Sequence, residues 1–141
     1  METREKVVIT IETTVDAPAN KVWEYWTKPA HIMQWNYSID TWHSPTAEND
    51  LRAGGSFVYR MEAKDGSMGF DFGGVYDVVR PLEYIEYTIG DGRKVKITFS
   101  PKGNTTHIRE TFEAESENPI DIQKGGWQSI LDNLKKYTES N

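Results

Sequence analysis

The chain has 141 residues, no cysteine and a formal net charge of −6, from 16 basic and 22 acidic side chains. This length predicts one domain over residues 1–141. The missing cysteines exclude a disulfide framework, a thiol nucleophile and a thiolate metal site. The acidic balance argues against nucleic acid and anionic membranes as partners, since both need a cationic face. No apolar run has the length of a membrane span and no signal peptide is visible, so we expect a cytoplasmic protein without membrane insertion.

The N-terminal third predicts one strand followed by two short helices. Residues 6–15 alternate between apolar and polar side chains, which is the pattern of a half-buried strand. Pro18 and Pro29 each stand where a helix can begin, because proline lacks the N–H that is unpaired at the first helical position. We therefore expect helices over 18–26 and 29–35.

From residue 37 to residue 113 the pattern is one strand after another. Asp-Gly and Gly-Asn pairs separate several of these strands, as expected for tight turns. Gly73 and Gly74 fall inside one strand and predict a bulge or a sharp bend there, with Val78 on the same face as Phe72 and Tyr76. The predicted strands cover residues 38–43 (weakly), 56–63, 69–79, 83–89, 93–100 and 105–113.

The last segment has the period of an amphipathic helix, with Trp127 and the apolar residues after it on one face. Ile120 falls on the same stripe, so we expect the helix to begin near Pro119 with Asn118 as its cap. Gly125 and Gly126 would then lie inside the helix, which predicts a close approach of backbone or ligand. A helix that begins at Gly126 is the alternative. The whole order of elements predicts an α+β protein whose curled sheet holds the long helix on its concave side.

Four segments resemble a known family: APANKVWEYWTKPAHIMQW at 17–35, DLRAGGSFVYRMEAKDG at 50–66, GGVYDVVRPLEYIEYT at 73–88 and GWQSILDNLKKY at 126–137. They are similar to the START-like (SRPBCC) superfamily, which includes Bet v 1 allergens, polyketide cyclases and START lipid-transfer domains. The closest resemblance is to the branch named after the activator of the 90-kDa heat-shock-protein ATPase. It implies a helix-grip fold, in which an antiparallel sheet of six to seven strands wraps a long C-terminal helix and two short helices follow the first strand. It also implies an elongated, mostly apolar cavity between sheet and helix.

The inward faces of the predicted elements supply candidate ligand-binding residues for this cavity. An aromatic core without any void is the alternative, because protein interiors are normally close-packed. Buried tyrosines favour a pocket, since each hydroxyl needs a partner. The candidates are Trp35, Phe57, Tyr59, Met61, Phe70, Phe72, Tyr76, Tyr87, Glu110, Trp127, Ile130 and Leu134.

Few residues suggest chemistry beyond binding. Glu110 lies between two apolar residues on a face that we predict to be inward, where a desolvated carboxyl would have a raised pKa; a solvated position at the rim is the alternative. His31, near the expected cavity mouth, His43 and His107 lack metal-ligand spacing, and no nucleotide or nucleophile motif occurs. We therefore expect no metal, cofactor or catalytic residue. The tryptophans of both short helices either gate the cavity or pack these helices on the sheet.

Three functions remain open. The first is binding of a small apolar or amphipathic molecule in the cavity, with access through the loops 37–50 and 64–69. The second, implied by the resemblance, is stimulation of a 90-kDa heat-shock-protein ATPase, although the separate N-terminal domain of the eukaryotic co-chaperones is absent from this sequence. The third is a polyketide cyclase or hydrolase activity that uses Glu110 as an acid or base. Fold resemblance alone licenses none of them.

Overall fold

Eight strands and three helices form the structure of residues 7–141, the part of the chain that the computed structural model describes. The two short helices follow the first strand, and the long helix ends the chain, as predicted. The strands are β1 Val8–Val15, β2 Trp42–His43, β3 Ala47–Asn49, β4 Ser56–Ala63, β5 Gly69–Arg80, β6 Tyr84–Ile89, β7 Lys94–Lys102 and β8 Thr105–Glu113. The helices are α1 Ala19–Thr27, α2 Pro29–Trp35 and α3 Ile120–Ser140.

The strands form one antiparallel sheet that curls into a half-barrel. Seven of them lie in the order β1-β8-β7-β6-β5-β4-β2, and β3 pairs with β4 beside this path. α3 packs against β1 and also contacts α1 and α2. This is the helix-grip α+β fold that the sequence predicted, with the first and last strands side by side and the long helix held by the sheet.

The core of the fold follows from the alternation in β6, β7 and β8. Every second residue of these strands is buried, and the predicted inward residues are those buried. α1 covers part of this face, because Trp23 and Trp26 each meet the ring of Phe99 edge-on, at centroid distances of 5.3 and 5.4 Å. The two short helices are separate because Lys28 is extended and Pro29 opens α2 as its first residue.

The bulge of β5 lies four residues away from its predicted position. The register with β6 shifts between Tyr76 and Val78, whereas Gly73 and Gly74 are paired regularly with β4. The extra residue moves Val79, instead of Val78, onto the core face, opposite Ile85. The glycine pair has a different reason: a side chain at Gly74 would collide with the Thr88 carbonyl oxygen and the Phe57 ring.

The start of α3 differs from the prediction in two ways. The N-cap residue of α3 is Pro119, and no side chain caps the helix. The side chain of Asn118 donates to Glu115 instead. Gln123 organises this end, since its side chain accepts from the Glu115 N–H and donates to the Glu115 and Asn118 carbonyl oxygens. Ile120 was expected in the apolar stripe but is 44% exposed.

The glycine pair of α3 lies inside the helix, as expected, but the expected close approach is absent. An added side-chain atom at Gly125 would meet nothing within 4 Å, and at Gly126 only the Ser38 hydroxyl at 3.9 Å. The predicted strand 38–43 is also shorter than expected, because only Trp42 and His43 pair with β4. The three-residue strand β3 was not predicted; its short polar sequence carries no alternation.

Candidate ligand-binding cavity

A cavity of about 280 Å³ lies between the curled sheet and α3. β4, β5, β6 and β8 contribute inward-facing side chains, α3 contributes three apolar ones, and the two short helices close one side. The lining consists mainly of aromatic and aliphatic groups, with a few polar ones among them. Its residues are Trp26, Trp35, Asn36, Tyr59, Met61, Phe70, Phe72, Tyr76, Ile85, Tyr87, Arg93, Glu110, Trp127, Ile130 and Leu131.

Ten of the twelve candidate residues from the sequence line this cavity. The other two, Phe57 and Leu134, are buried in the hydrophobic core and do not reach it. The ten are Trp35, Tyr59, Met61, Phe70, Phe72, Tyr76, Tyr87, Glu110, Trp127 and Ile130.

Five lining residues were missing from the candidates. Leu131 and Ile85 lie on faces that the sequence marked as inward, and Trp26 lies on the inner side of its helix, so the signal existed for these three. No sequence pattern pointed to Arg93 or Asn36 as lining residues. A charged residue after an Asp-Gly turn and an amide after a helix both resemble solvent-exposed positions in a sequence.

Trp127 links the two walls of the cavity. Its indole stacks on the ring of Phe112 with a centroid distance of 3.9 Å and meets Phe72 edge-on at 6.1 Å. On the opposite side Trp26 and Trp35 lie 5.5 Å apart and both line the cavity. The tryptophans of the short helices therefore pack these helices onto the sheet and also form part of the wall.

Glu110 is the acidic residue of this lining. It is only 6% exposed, so the structure places it inside, not at a solvated rim. Burial raises the pKa of its carboxyl to about 8, because the charged form loses its hydration. Desolvation is the sole cause of this rise, and none of the hydrogen bonds and ion pairs found within residues 7–141 involves the Glu110 carboxyl. Near neutral pH this carboxyl is therefore mainly protonated.

The tyrosine hydroxyls of the cavity differ in their partners. Tyr76 donates to Asn49 Oδ1 at 2.6 Å, and Asn49 in turn donates to the Thr27 carbonyl oxygen at 2.7 Å, which ties β3 to α1. Burial raises the pKa of Tyr76, and a hydrogen bond with Tyr59 partly offsets this. Burial also raises the pKa values of Tyr59 and Tyr87, so all three hydroxyls keep their protons.

The mouth of the cavity is apolar. Phe70 was expected to point inward, but it is 50% exposed and forms part of the rim, with its ring 6.1 Å from that of Trp42. Ile39 and Met68, from the two neighbouring loops, are also more than half exposed. Asn36 lies inside and donates to Met61 Sδ at 3.4 Å.

The histidines lie elsewhere. His31 was expected near the cavity mouth, but its Nδ1 is 2.7 Å from the Tyr137 hydroxyl near the end of α3, and its ring stacks on Tyr25. His107 lies on the outer face of the sheet between Glu12 and Thr14. Among residues 7–141 no three histidine, aspartate or glutamate side chains lie close enough to hold a metal ion. None of the described helices is long and apolar enough to cross a membrane.

Comparison with known proteins places the chain in a family. The family described as Activator of Hsp90 ATPase homolog 1-like protein matches residues 16–139, whereas none of the curated proteins matches. The solution structure of an AHSA1-like protein from Aeromonas hydrophila is 38% identical over 95% of this chain and 93% of that chain, with a TM-score of 0.90. A protein from Cytophaga hutchinsonii is 58% identical over 94% and 92%, with a TM-score of 0.81. A protein from Nitrosomonas europaea, 18% identical over 95% of each chain, shares the fold with a TM-score of 0.82. The chain therefore belongs to the family of Activator of Hsp90 ATPase homolog 1-like proteins.

Proposed function

We propose that this protein binds a small apolar or amphipathic molecule in the cavity between the curled sheet and α3. The observation that carries the proposal is a cavity of about 280 Å³ whose wall is mostly aromatic and aliphatic and holds a few polar groups. This combination is typical of small-ligand sites, in which apolar burial supplies affinity and a few polar groups fix orientation.

The ligand enters through the apolar rim. The loops 37–50 and 64–69 carry Ile39 and Met68, and Phe70 stands between these loops and the interior. Exposed aromatic and aliphatic side chains at this point would exchange contacts with water for contacts with the arriving ligand.

Native mass spectrometry of the purified protein, beside a denatured control, is the first test. A mass excess that disappears on denaturation would support a bound small molecule and would give its mass. A protein without bound mass would then be titrated with 2-isopropylnaphthalene, an apolar bicyclic compound, by isothermal titration calorimetry.

A pair of substitutions in α3 makes this titration specific. Ile130→Trp adds an indole to a residue that lines the cavity, whereas Ile122→Trp adds the same group at a position that is 63% exposed. We expect Ile130→Trp to abolish heat of binding and Ile122→Trp to bind like the wild type. Equal binding by both variants, or no binding by the wild type, would reject the cavity as the site.

Stimulation of a 90-kDa heat-shock-protein ATPase is a second candidate, and the family's description supports it. This function needs a surface for the chaperone and leaves the cavity unused. The two α3 variants therefore separate the candidates: Ile130→Trp would stimulate the purified chaperone's ATP hydrolysis as well as the wild type does. No stimulation at a large molar excess of the wild type would remove this candidate.

A further inference from the structure

One side of the cavity carries three polar groups from different parts of the sheet. Glu110 comes from β8, Tyr87 from β6, and Arg93 from the turn that leads into β7. β7 lies between the other two strands, with Ile97 opposite Glu110 and Val95 opposite Tyr87. The two long side chains therefore project over small-to-medium apolar residues into the same space.

Glu110 and Tyr87 are buried residues whose polar groups border the cavity. They are 6% and 8% exposed, and none of the side-chain hydrogen bonds found within residues 7–141 involves either of them. Among these residues the fully enclosed side-chain oxygens without a partner belong to Ser44 and Thr138, so the oxygens of Glu110 and Tyr87 are open to the cavity. The ring of Tyr87 is held by Phe57 and Tyr76, at centroid distances of 4.8 and 6.2 Å, so the hydroxyl cannot turn away freely. Polar groups inside native proteins are nearly always paired, so two groups that face the cavity and have no hydrogen bond to the described protein point to a partner inside the cavity.

Both groups are hydrogen-bond donors at neutral pH. Burial keeps the carboxyl of Glu110 protonated, as its pKa of about 8 indicates. Burial also raises the pKa of Tyr87; an ionised Glu110 would add to this rise, and the charge of Arg93 opposes it. Tyr87 is therefore within electrostatic reach of both other groups. Arg93 uses two N–H groups on Asp91 and the Glu113 carbonyl oxygen, and its guanidinium has further donors.

The other hydroxyls of the cavity do not offer such a site. Tyr76 donates to Asn49, and the hydroxyl of Tyr59 is paired with that of Tyr76. The free donors are thus concentrated on the β6–β8 side, and an oxygen atom with lone pairs is the ligand group that complements them. An ammonium group fits less well, because Arg93 repels it and a neutral Glu110 offers it no charge.

We propose that Glu110 and Tyr87 together bind a carbonyl oxygen, so that the ligand is an uncharged, mainly apolar molecule with a ketone or ester group. The proposal rests on the cavity-binding function proposed above and adds the chemical class of the ligand to it. A protonated carboxyl beside a tyrosine in an apolar site is an effective pair of donors for such an oxygen. Each hydrogen bond would offset the free energy of hydration that the carbonyl loses on entering the cavity.

Three naphthalenes with side groups of similar size test the assignment at pH 7. In 2-acetylnaphthalene the side group carries a carbonyl, in 2-isopropylnaphthalene a methyl replaces the oxygen, and in 1-(2-naphthyl)ethylamine an ammonium replaces it. Affinities from titration calorimetry give the preference for each group. The carbonyl stretching band of the bound ketone gives an independent measure, since hydrogen bonds shift it to lower frequency.

We expect the ketone to bind at least as tightly as the hydrocarbon and more tightly than the amine. Glu110→Met and Tyr87→Phe should each reduce the preference for the ketone over the hydrocarbon about tenfold, and each should move the carbonyl band back toward higher frequency. Two variants are used because a change at Glu110 also alters stability. Tyr84→Phe is the matched control: this hydroxyl lies on the same strand but donates to Glu86 and does not line the cavity.

Several results would overturn the assignment. Tighter binding of the amine than of the ketone would mean that Glu110 acts as a carboxylate for cations. An unchanged preference in both variants would mean that the ketone does not reach the two donors, while the cavity itself would still be supported by binding of the hydrocarbon. Failure of all three compounds to bind the wild type would reject this assignment and the proposed function together.

Discussion

The strands β5 and β7 flank β6 on its two sides, yet one faces a cavity and the other a filled core. The inward residues of β7 are almost completely buried, because α1 covers Phe99 and the neighbouring strands supply matching apolar groups. β5 contains a bulge and a glycine pair, and its first inward residue, Phe70, is half exposed. The fold thus combines a rigid, close-packed half with a half that has room for a ligand.

The largest expected effect comes from truncating the same residue type on both strands. Phe99→Ala removes a ring that is 3% exposed and meets Trp23 and Trp26, so it should cost about 3 to 5 kcal/mol of unfolding free energy. Phe70→Ala, at the half-exposed rim, should cost less than about 1 kcal/mol. Urea unfolding followed by circular dichroism measures both. Similar losses would show that β5 is packed as tightly as β7.

The pH dependence of stability tests whether the cavity wall around Glu110 is dry. The folded protein keeps the proton of Glu110 up to a pKa of about 8, whereas the unfolded chain releases it near the ordinary value of 4.5. The folded state therefore binds more protons than the unfolded state between these values, and stability falls as pH rises. Tyr87 stays protonated in this range, because burial raises its pKa, so it does not alter the sign.

From pH 5 to pH 7 this effect amounts to about 2 to 3 kcal/mol. Glu110→Gln cannot ionise, and the difference in unfolding free energy between variant and wild type should grow by that amount over the same interval. A constant difference would indicate that Glu110 is hydrated and that the cavity is wet.

A substitution at Gly74 tests how closely β5 packs against β4 and β6. Gly74→Ala places a methyl group against the Thr88 carbonyl oxygen and the Phe57 ring, and overpacking of this kind costs about 1 to 3 kcal/mol. Gly90→Ala is the control, since nothing lies within 4 Å of the added atom there. Thermal unfolding of both variants should show a clear decrease in Tm for Gly74→Ala only; a tolerated Gly74→Ala would mean that β5 can move away from β4 and β6.

The smallest effect is expected in α3, which lies over both halves. Gly125→Ala fills open space inside a helix, so it should raise stability by about 0.5 to 1 kcal/mol through helix propensity. Chemical unfolding measures the gain, and affinity for 2-isopropylnaphthalene should stay the same. Loss of stability or of affinity would reveal a close contact at this glycine.

Local patterns predicted most of the fold because they reflect local chemistry. Alternation identified the inward residues of β6 to β8, and the prolines marked the two short helices. The wrong predictions have one cause: a local sequence pattern does not indicate which distant residues a side chain contacts in the fold. Ile120 fits the apolar stripe of α3, but no neighbouring element among residues 7–141 covers it and it is 44% exposed. Asn118 is a good cap by composition, but its side chain donates to Glu115, and Gln123 donates to the carbonyl oxygens of Glu115 and Asn118.

The family and the order of elements were determined by the sequence alone, because strand alternation, turn residues and helical spacing act over a few residues. Only the tertiary structure decided that the bulge lies after Tyr76, that Glu110 is inside, and that a cavity remains beside it. These features depend on how far a curled sheet and a helix stand apart. That distance is set by side chains from many strands packing together, and no local segment of the chain encodes it.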